Sequence, residues 1–277
     1  MIKIVIDTSA DYTLEEIKER DFSLVPMTVF LNGQTYIEGV NLERDDFYEM
    51  LETSVEFPKT AQPSPQKFLD VFEEAKANGD SVICILLSSK LSGTCQSAHL
   101  AKDMAEYDDI YIIDSLSAAS GIKLMADYAR KLANEGLSAC EIAQKVEAMK
   151  SRVTILAGLD TLEYLYKGGR LSKASAIIGA AAHIKPIITV KDGAVEVIGK
   201  AIGKAKATAN IISHLQNLEM DPDFPVYSVY SFGTENCEKL ESKLTSNGYP
   251  IDERKQIGST IGAHTGPGVF GVIFVAK

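Results

Sequence analysis

The sequence is poor in the features that mark metal, redox and nucleotide chemistry. Cys84, Cys95, Cys140 and Cys237 stand far apart with no CxxC pair, which leaves no zinc or dithiol motif. Cys84 lies in an apolar run, where cysteine behaves as a small core residue. The four histidines are equally scattered, so neither a metal site nor a metal cofactor is expected. Positive charge is short: 28 Lys and Arg against 38 Asp and Glu give a net charge of -10. A phosphate backbone demands a basic footprint, so nucleic acid is not an expected partner. No window approaches the roughly 20 apolar residues of a membrane span. Met1-Ile-Lys-Ile-Val-Ile-Asp7 reads as a strand lacking the parts of a signal peptide, and a cytoplasmic location is expected. There is no GxxxxGK[ST] phosphate loop and no GxSxG elbow. Gly266-Pro-Gly-Val-Phe-Gly271 spells GxGxxG, but neither a βαβ unit nor a ribose-binding acid follows it.

What is present is an ordinary globular composition, 45% hydrophobic and 24% charged, over 277 residues. That length is close to where one core divides into two. Ile2 to Ile6, Ser81 to Leu87 and Ile110 to Asp114 are nearly continuous apolar runs, the pattern of parallel strands covered on both faces. Amphipathic stretches at Pro65 to Ala77, Thr94 to Tyr107 and Leu116 to Gly136 alternate with them, which predicts a βαβ layout. Residues 22 to 42, with an Asn32-Gly33 pair, read as a small hairpin insertion. Past a helix at Ser138 to Arg152, hairpin signals mix with helices. Lys185 to Val190, the Asp192-Gly193 turn and Val195 to Ile198 form one such hairpin, and Val269 to Val275 a last strand. The expected fold is α/β with two domains, a parallel-sheet domain over 1–155 and an α+β domain over 156–277, and a ligand at their seam.

Three clusters rich in hydroxyls and turn residues, and poor in charge, stand out. Ile261-Gly-Ala-His-Thr-Gly-Pro-Gly268 sets His264 and Thr265 among three glycines and a proline, which predicts an imidazole held at a bend. Ser88-Ser-Lys-Leu-Ser-Gly-Thr94 joins an apolar strand to a helix, where free N–H groups and the helix dipole favour an anion. A plain N-cap with a loop glycine is the competing reading, and Lys90 reads as solvated. Thr60-Ala-Gln-Pro-Ser-Pro65 is a rigid turn that presents donors. Asp7-Thr-Ser-Ala-Asp11 follows the first strand, the usual ligand position of an open parallel sheet; alternatively Ser9 or Asp11 caps the next helix. Tyr166-Lys-Gly-Gly-Arg-Leu-Ser172 pairs a glycine C-cap with Ser172 as an N-cap and projects Arg170, a bidentate anion ligand or a surface salt bridge. The small-residue run Ala174 to Ala182 leaves room beside it for a close-packed neighbour or a slender apolar ligand.

Taken together, Asp7-Thr-Ser-Ala-Asp11, Thr60-Ala-Gln-Pro-Ser64, Leu91-Ser-Gly-Thr94, Asp160-Thr-Leu-Glu-Tyr-Leu165 with Gly168-Gly-Arg170, Lys185-Pro186 and His264-Thr-Gly-Pro-Gly268 resemble the DegV family of bacterial fatty-acid-binding proteins, which includes the lipid-binding subunits of fatty acid kinase. The segments run through the whole chain. The resemblance implies one long-chain fatty acid held between two domains, its tail in an apolar tunnel of the second, and no cofactor. It implies Thr60, Ser92 and His264 as carboxylate ligands, with Gly93, Thr94 and Thr265 beside them. It also implies a separate ATP-binding kinase subunit as partner, faced by Arg170. Two departures stand out. Ile202, in Lys200-Ala-Ile-Gly-Lys204, occupies a slot where kinase-coupled members carry arginine, and Ala61 replaces the serine of a Thr-Ser-Gln motif. The alternative reading is a hydrolase or acyltransferase in which His264 activates Ser92 as a nucleophile. A third is a regulator that senses lipid through domain closure.

Overall fold

The computed structural model describes residues 1–171 and 183–277. In chain order the first part contains β1 (Ile2–Asp7), α1 (Leu14–Glu19), β2 (Phe22–Val25), β3 (Thr28–Leu31), β4 (Gln34–Tyr36), α2 (Arg44–Thr53), β5 (Lys59–Ala61), α3 (Pro65–Asn78), β6 (Ser81–Leu86), α4 (Thr94–Ala105), β7 (Ile110–Asp114), α5 (Ser120–Asn134) and α6 (Ala139–Met149). The second part contains β8 (Val153–Gly158), α7 (Glu163–Lys167), β9 (Ile184–Lys191), β10 (Ala194–Ile202), α8 (Lys204–Leu215), β11 (Tyr227–Tyr230), α9 (Glu235–Ser246), β12 (Glu253–Gln256), α10 (Ser259–Thr265) and β13 (Phe270–Val275). Strands β2-β1-β6-β7 form an all-parallel sheet. In the second part β10-β9-β8-β13-β11-β12 form a sheet that is antiparallel except for the β11/β12 pair. The chain is therefore a two-domain α/β protein, as its patterning implies. Strand β8 straddles the expected boundary at 155 and pairs wholly within the second sheet.

Local chemistry explains the element ends. Pro65 opens α3 and Gly79 closes it in the left-handed conformation. Ser138 and Glu141 form a capping box on α6. The turn at Asp192 (φ 49°) and Gly193 (φ 81°) joins β9 to β10 as a two-residue hairpin. Helix α5 begins at Ser120, later than the sequence implies, because Leu116 (φ 49°) and Ala119 (φ 54°) both adopt left-handed conformations ahead of it. That backbone costs free energy for residues with a Cβ and tends to occur where a site needs it.

The 22–42 segment corrects the expected insertion. Phe22–Val25 is not part of a hairpin; it pairs in parallel register with Ile4 to Asp7 as the sheet's edge strand. The Asn32-Gly33 turn does close a hairpin between β3 and β4, but β5 joins it, giving the small sheet β4-β3-β5. One face of this sheet and α2 bury Val29, Leu31, Phe47, Tyr48 and Leu51 against Ala263 of α10. Between the two main sheets lies α5, which packs on β1 and β6 on one side and on β8 and β13 on the other. Ile83, Ile122, Met125, Ile155 and Ile273 consequently belong to one continuous core.

Candidate functional site

His264 does not sit at a bend. It occupies the last turn of α10, which Gly266 (φ 75°) terminates. Thr60 lies on β5, in register opposite Val29. The two meet across the seam with Thr60 Oγ1 and His264 Nε2 2.8 Å apart. The other ring nitrogen, Nδ1, is buried and has no hydrogen-bond partner among the described residues; it lies against Gly168, where a Cβ would collide with the ring. Burial, and then the charge of Arg170, push the imidazole down to a pKa of about 4. The ring is neutral at physiological pH and shares one proton with Thr60.

Ser92 lies in the turn between β6 and α4, its Oγ 2.8 Å from Thr94 Oγ1. No side chain caps α4, so the plain N-cap reading does not hold for Ser92 or Thr94. Gly93 is required because Gln62, tied to Ser97 Oγ at 2.9 Å, occupies the space a Cβ would take. Ser88 Oγ donates to the Gly193 carbonyl at 2.7 Å, so the tip of the β9/β10 hairpin holds this turn from the second domain. Lys90 is exposed. Arg170 follows the glycine-terminated α7, donates from Nε to Leu91 O at 3.0 Å and from Nη1 to Gly168 O, and is half-buried. Ser172 and Ala174 to Ala182 lie outside the described residues.

Thr60, Ser92, His264, Thr265 and Arg170 all line one cavity of about 80 Å³. Leu87, Ala118, Ile155, Ile188, Val195 and Ile273 continue it inward. It runs from Val269, just ahead of β13, to Ile273 within it, about 13 Å at roughly 3.3 Å per residue. Among the described residues its lining contains no carboxylate, and Arg170 is its one charged group. Such a slot receives an apolar chain and offers neutral donors and one cation to an anionic head. The volume is below the roughly 300–1,000 Å³ of sites that enclose a drug-sized ligand, so a long ligand requires the walls to part. Gly93 and Thr94 stand one step behind the lining, and Thr265 Oγ1 donates back to Ile261 O at 3.1 Å.

Neither Asp7 nor Asp11 reaches this cavity. Asp7 accepts from Ser9 N and Leu87 N, at 2.8 and 2.9 Å, and Thr13, not Ser9 or Asp11, caps α1. Of that motif it is the neighbour Thr8 that approaches, its hydroxyl 3.0 Å from Thr260 Oγ1. Thr260 and the pair Ala118-Ala119 line the cavity without having stood out in the sequence. Thr260 precedes His264 by four residues on a helix, and that spacing alone marks a shared face. A wider polar cleft of about 530 Å³, between α1, residues 38–45 and β12, contains none of Thr60, Ser92 or His264. For the nucleophile reading, Ser92 is bonded to Thr94 and His264 to Thr60, and among the described residues no acid orients Nδ1.

The fold and the cavity define a class: two-domain α/β proteins with an apolar slot closed by neutral donors and one arginine at the domain seam. The family model described as an uncharacterised protein of the DegV family matches residues 1–277, and the chain belongs to the DegV family. A DegV domain-containing protein of Caldanaerobacter subterraneus subsp. tengcongensis is 37% identical, covering 100% of this chain and 99% of that protein. The structure of a fatty-acid-binding DegV family protein from Thermus thermophilus superposes with a TM-score of 0.90 at 29% identity, covering 100% and 99% of the two chains. A stearic acid-binding protein from Eubacterium ventriosum gives 0.89 at 28% identity, again covering 100% and 99%.

Proposed function

We propose that this protein binds one long-chain fatty acid, with its carboxylate at Thr60, Ser92 and His264 and its tail in the slot between the Ala118-Ala119 turn ahead of α5 and the second sheet. The observation that carries this reading is the Thr60–His264 pair, 2.8 Å apart, at the polar end of an apolar cavity whose described lining holds no acid. The ligands named for the neighbouring structures support it. Burying about 15 methylenes at ~0.8 kcal/mol each supplies roughly 12 kcal/mol before ordering costs. The head must not forfeit that gain, so it needs hydrogen bonds where it leaves water. Hydroxyls and a neutral imidazole supply them without neutralising the carboxylate.

The chain has no phosphate loop of its own. We assign it a non-enzymatic, cytoplasmic role in which it presents the bound carboxylate to a separate ATP-dependent kinase for acyl-phosphate formation. Arg170, at the rim beside His264, is the residue we place towards that partner. Ile202 is 67% exposed at the end of β10, an apolar side chain on the surface of the second domain. We place the domain division just ahead of Val153, so that β8 remains whole. Solvent extraction and mass spectrometry of the purified protein, followed by loading with C14–C18 acids, test the reading. A stoichiometric acid is expected; no bound acid and no uptake would end it. Turnover of acyl esters that Ser92→Ala abolishes would instead establish the hydrolase.

A further inference from the structure

The helix that carries His264 packs on α7 of its own domain, but much of its hold comes from the other domain. Helix α10 has seven residues, too few to keep an orientation by itself. The segment leading into it, Gln256 to Thr260, is gripped at each residue from the first domain. Arg44 Nη1 donates to Gln256 O at 2.8 Å and Tyr48 Oη to Ile257 O at 2.9 Å. Asp11 Oδ1 accepts from Gly258 N at 2.9 Å. Glu38 Oε2 accepts from Ser259 Oγ at 2.8 Å and from Thr260 N at 3.4 Å. The Thr8 hydroxyl meets Thr260 Oγ1 at 3.0 Å.

Glu38 is the centre of this arrangement. Its side chain is 7% exposed, and while Oε2 holds α10, Oε1 accepts from Arg44 Nε at 2.8 Å. Arg44 Nη2 in turn donates to Tyr12 O at 2.9 Å, tying the assembly to the segment ahead of α1. Gly258 has no Cβ because Glu38 fills that space. A buried carboxylate is retained only where its partners are satisfied, and here those partners are α10 itself and the arginine that holds the preceding residue. Thr260 and His264, four apart, share the helix face that lines the cavity. A small rotation of α10 therefore carries the imidazole off Thr60 directly.

We infer that Glu38 is a positioning residue for the ligand head: through Ser259 and Thr260 it sets the orientation of α10, and so the reach of His264 to Thr60 and to a bound carboxylate. This rests on the fatty-acid reading for its functional meaning. Its geometric part stands apart from that reading, and the test separates the two. Affinity is measured by displacement of a fluorescent long-chain fatty acid from the full chain, for wild type, Glu38→Gln, Ser259→Ala, His264→Ala and the doubles with His264→Ala. Glu38→Gln and Ser259→Ala are each expected to weaken binding about tenfold, and to add nothing in the His264→Ala background. The imidazole resonances of His264 in ligand-free protein are expected to move in both single variants. Losses that add fully to that of His264→Ala, unchanged affinity, or unmoved resonances would overturn the proposal. If Glu38→Gln fails to fold, Ser259→Ala, which deletes one hydroxyl, carries the same cycle. If the wild type takes up no fatty acid, the fatty-acid reading fails and the resonances alone decide whether Glu38 orients His264.

Discussion

Gly168→Ala is the sharpest probe of the head-binding geometry. The backbone accepts it, since Gly168 has an ordinary φ of -73°. The side chain does not fit: the added Cβ would lie 3.0 Å from His264 Cε1, 3.0 Å from Tyr164 O, and closer still to His264 Nδ1. Carbon atoms rest at about 3.5–4.0 Å, so the ring must retreat by roughly 0.5 Å at Cε1 and by about 1 Å at Nδ1. The bond from Nε2 to Thr60, now 2.8 Å, cannot keep both its length and its alignment through such a shift. A net hydrogen bond contributes about 0.5–1.5 kcal/mol, and one to a charged group about 1.5–3. Losing the alignment of the imidazole with the ligand head is thus expected to weaken fatty-acid affinity roughly 10- to 100-fold by titration calorimetry. In a His264→Ala background the same substitution meets no ring, only the Tyr164 carbonyl, and is expected to cost clearly less. Wild-type affinity in Gly168→Ala, or an equal loss in both backgrounds, would refute the assignment of His264 to the head.

Four further outcomes are expected. Ser92→Ala weakens fatty-acid binding about tenfold, one hydrogen bond's worth, and leaves the far-ultraviolet circular dichroism unchanged; unchanged affinity removes Ser92 from the site. The pH dependence of stability has two opposed parts. His264, lowered from 6.5 to about 4, contributes stability that is complete above 6.5 and lost as pH falls towards 4. Asp11, raised from 3.8 to about 7 mainly by burial, contributes stability present below about 4 and lost as pH rises towards 7. Denaturant titrations of His264→Asn and Asp11→Asn across that range are expected to change the slope in opposite senses. Ile273→Ala costs the ligand-free protein about 2–5 kcal/mol and shifts competition binding towards longer acids, with an unchanged preference as the contrary result. Arg170→Ala spares fatty-acid affinity but lowers acyl-phosphate formation by an ATP-dependent kinase; full retention of coupling would remove its partner-facing role.

Much of this architecture is visible in the residues. The apolar runs of β1, β6 and β7 announce a sheet covered on both faces, and the hydroxyl clusters at 60, 92 and 264 converge on one cavity as their composition implies. What escapes the reading does so for identifiable reasons. Glu253-Arg-Lys-Gln256 has no apolar alternation, because β12 is an edge strand whose Arg254 and Lys255 bind Glu241 and Glu16. Helix α10 is disguised by Gly262, which looks like a turn signal but is demanded by packing, since Tyr48 Oη occupies the place of its Cβ. The edge strand Phe22–Val25 is hidden by its closeness to Pro26 and the Asn32-Gly33 turn. The grip on α10 joins residues more than 200 positions apart, which no local pattern encodes.

The placement of α5 has a practical outcome. Because one helix is the shared wall of both sheets, and the Ala118-Ala119 pair leading into it lines the apolar slot, the two halves cannot melt independently, and occupancy of the slot is felt by the whole molecule. A saturating amphiphile at 100 times its dissociation constant adds about 2.7 kcal/mol to folding. On the proposed fatty-acid function, batches that differ in occupancy should accordingly differ in melting point, and delipidation should precede any comparison of mutant stabilities.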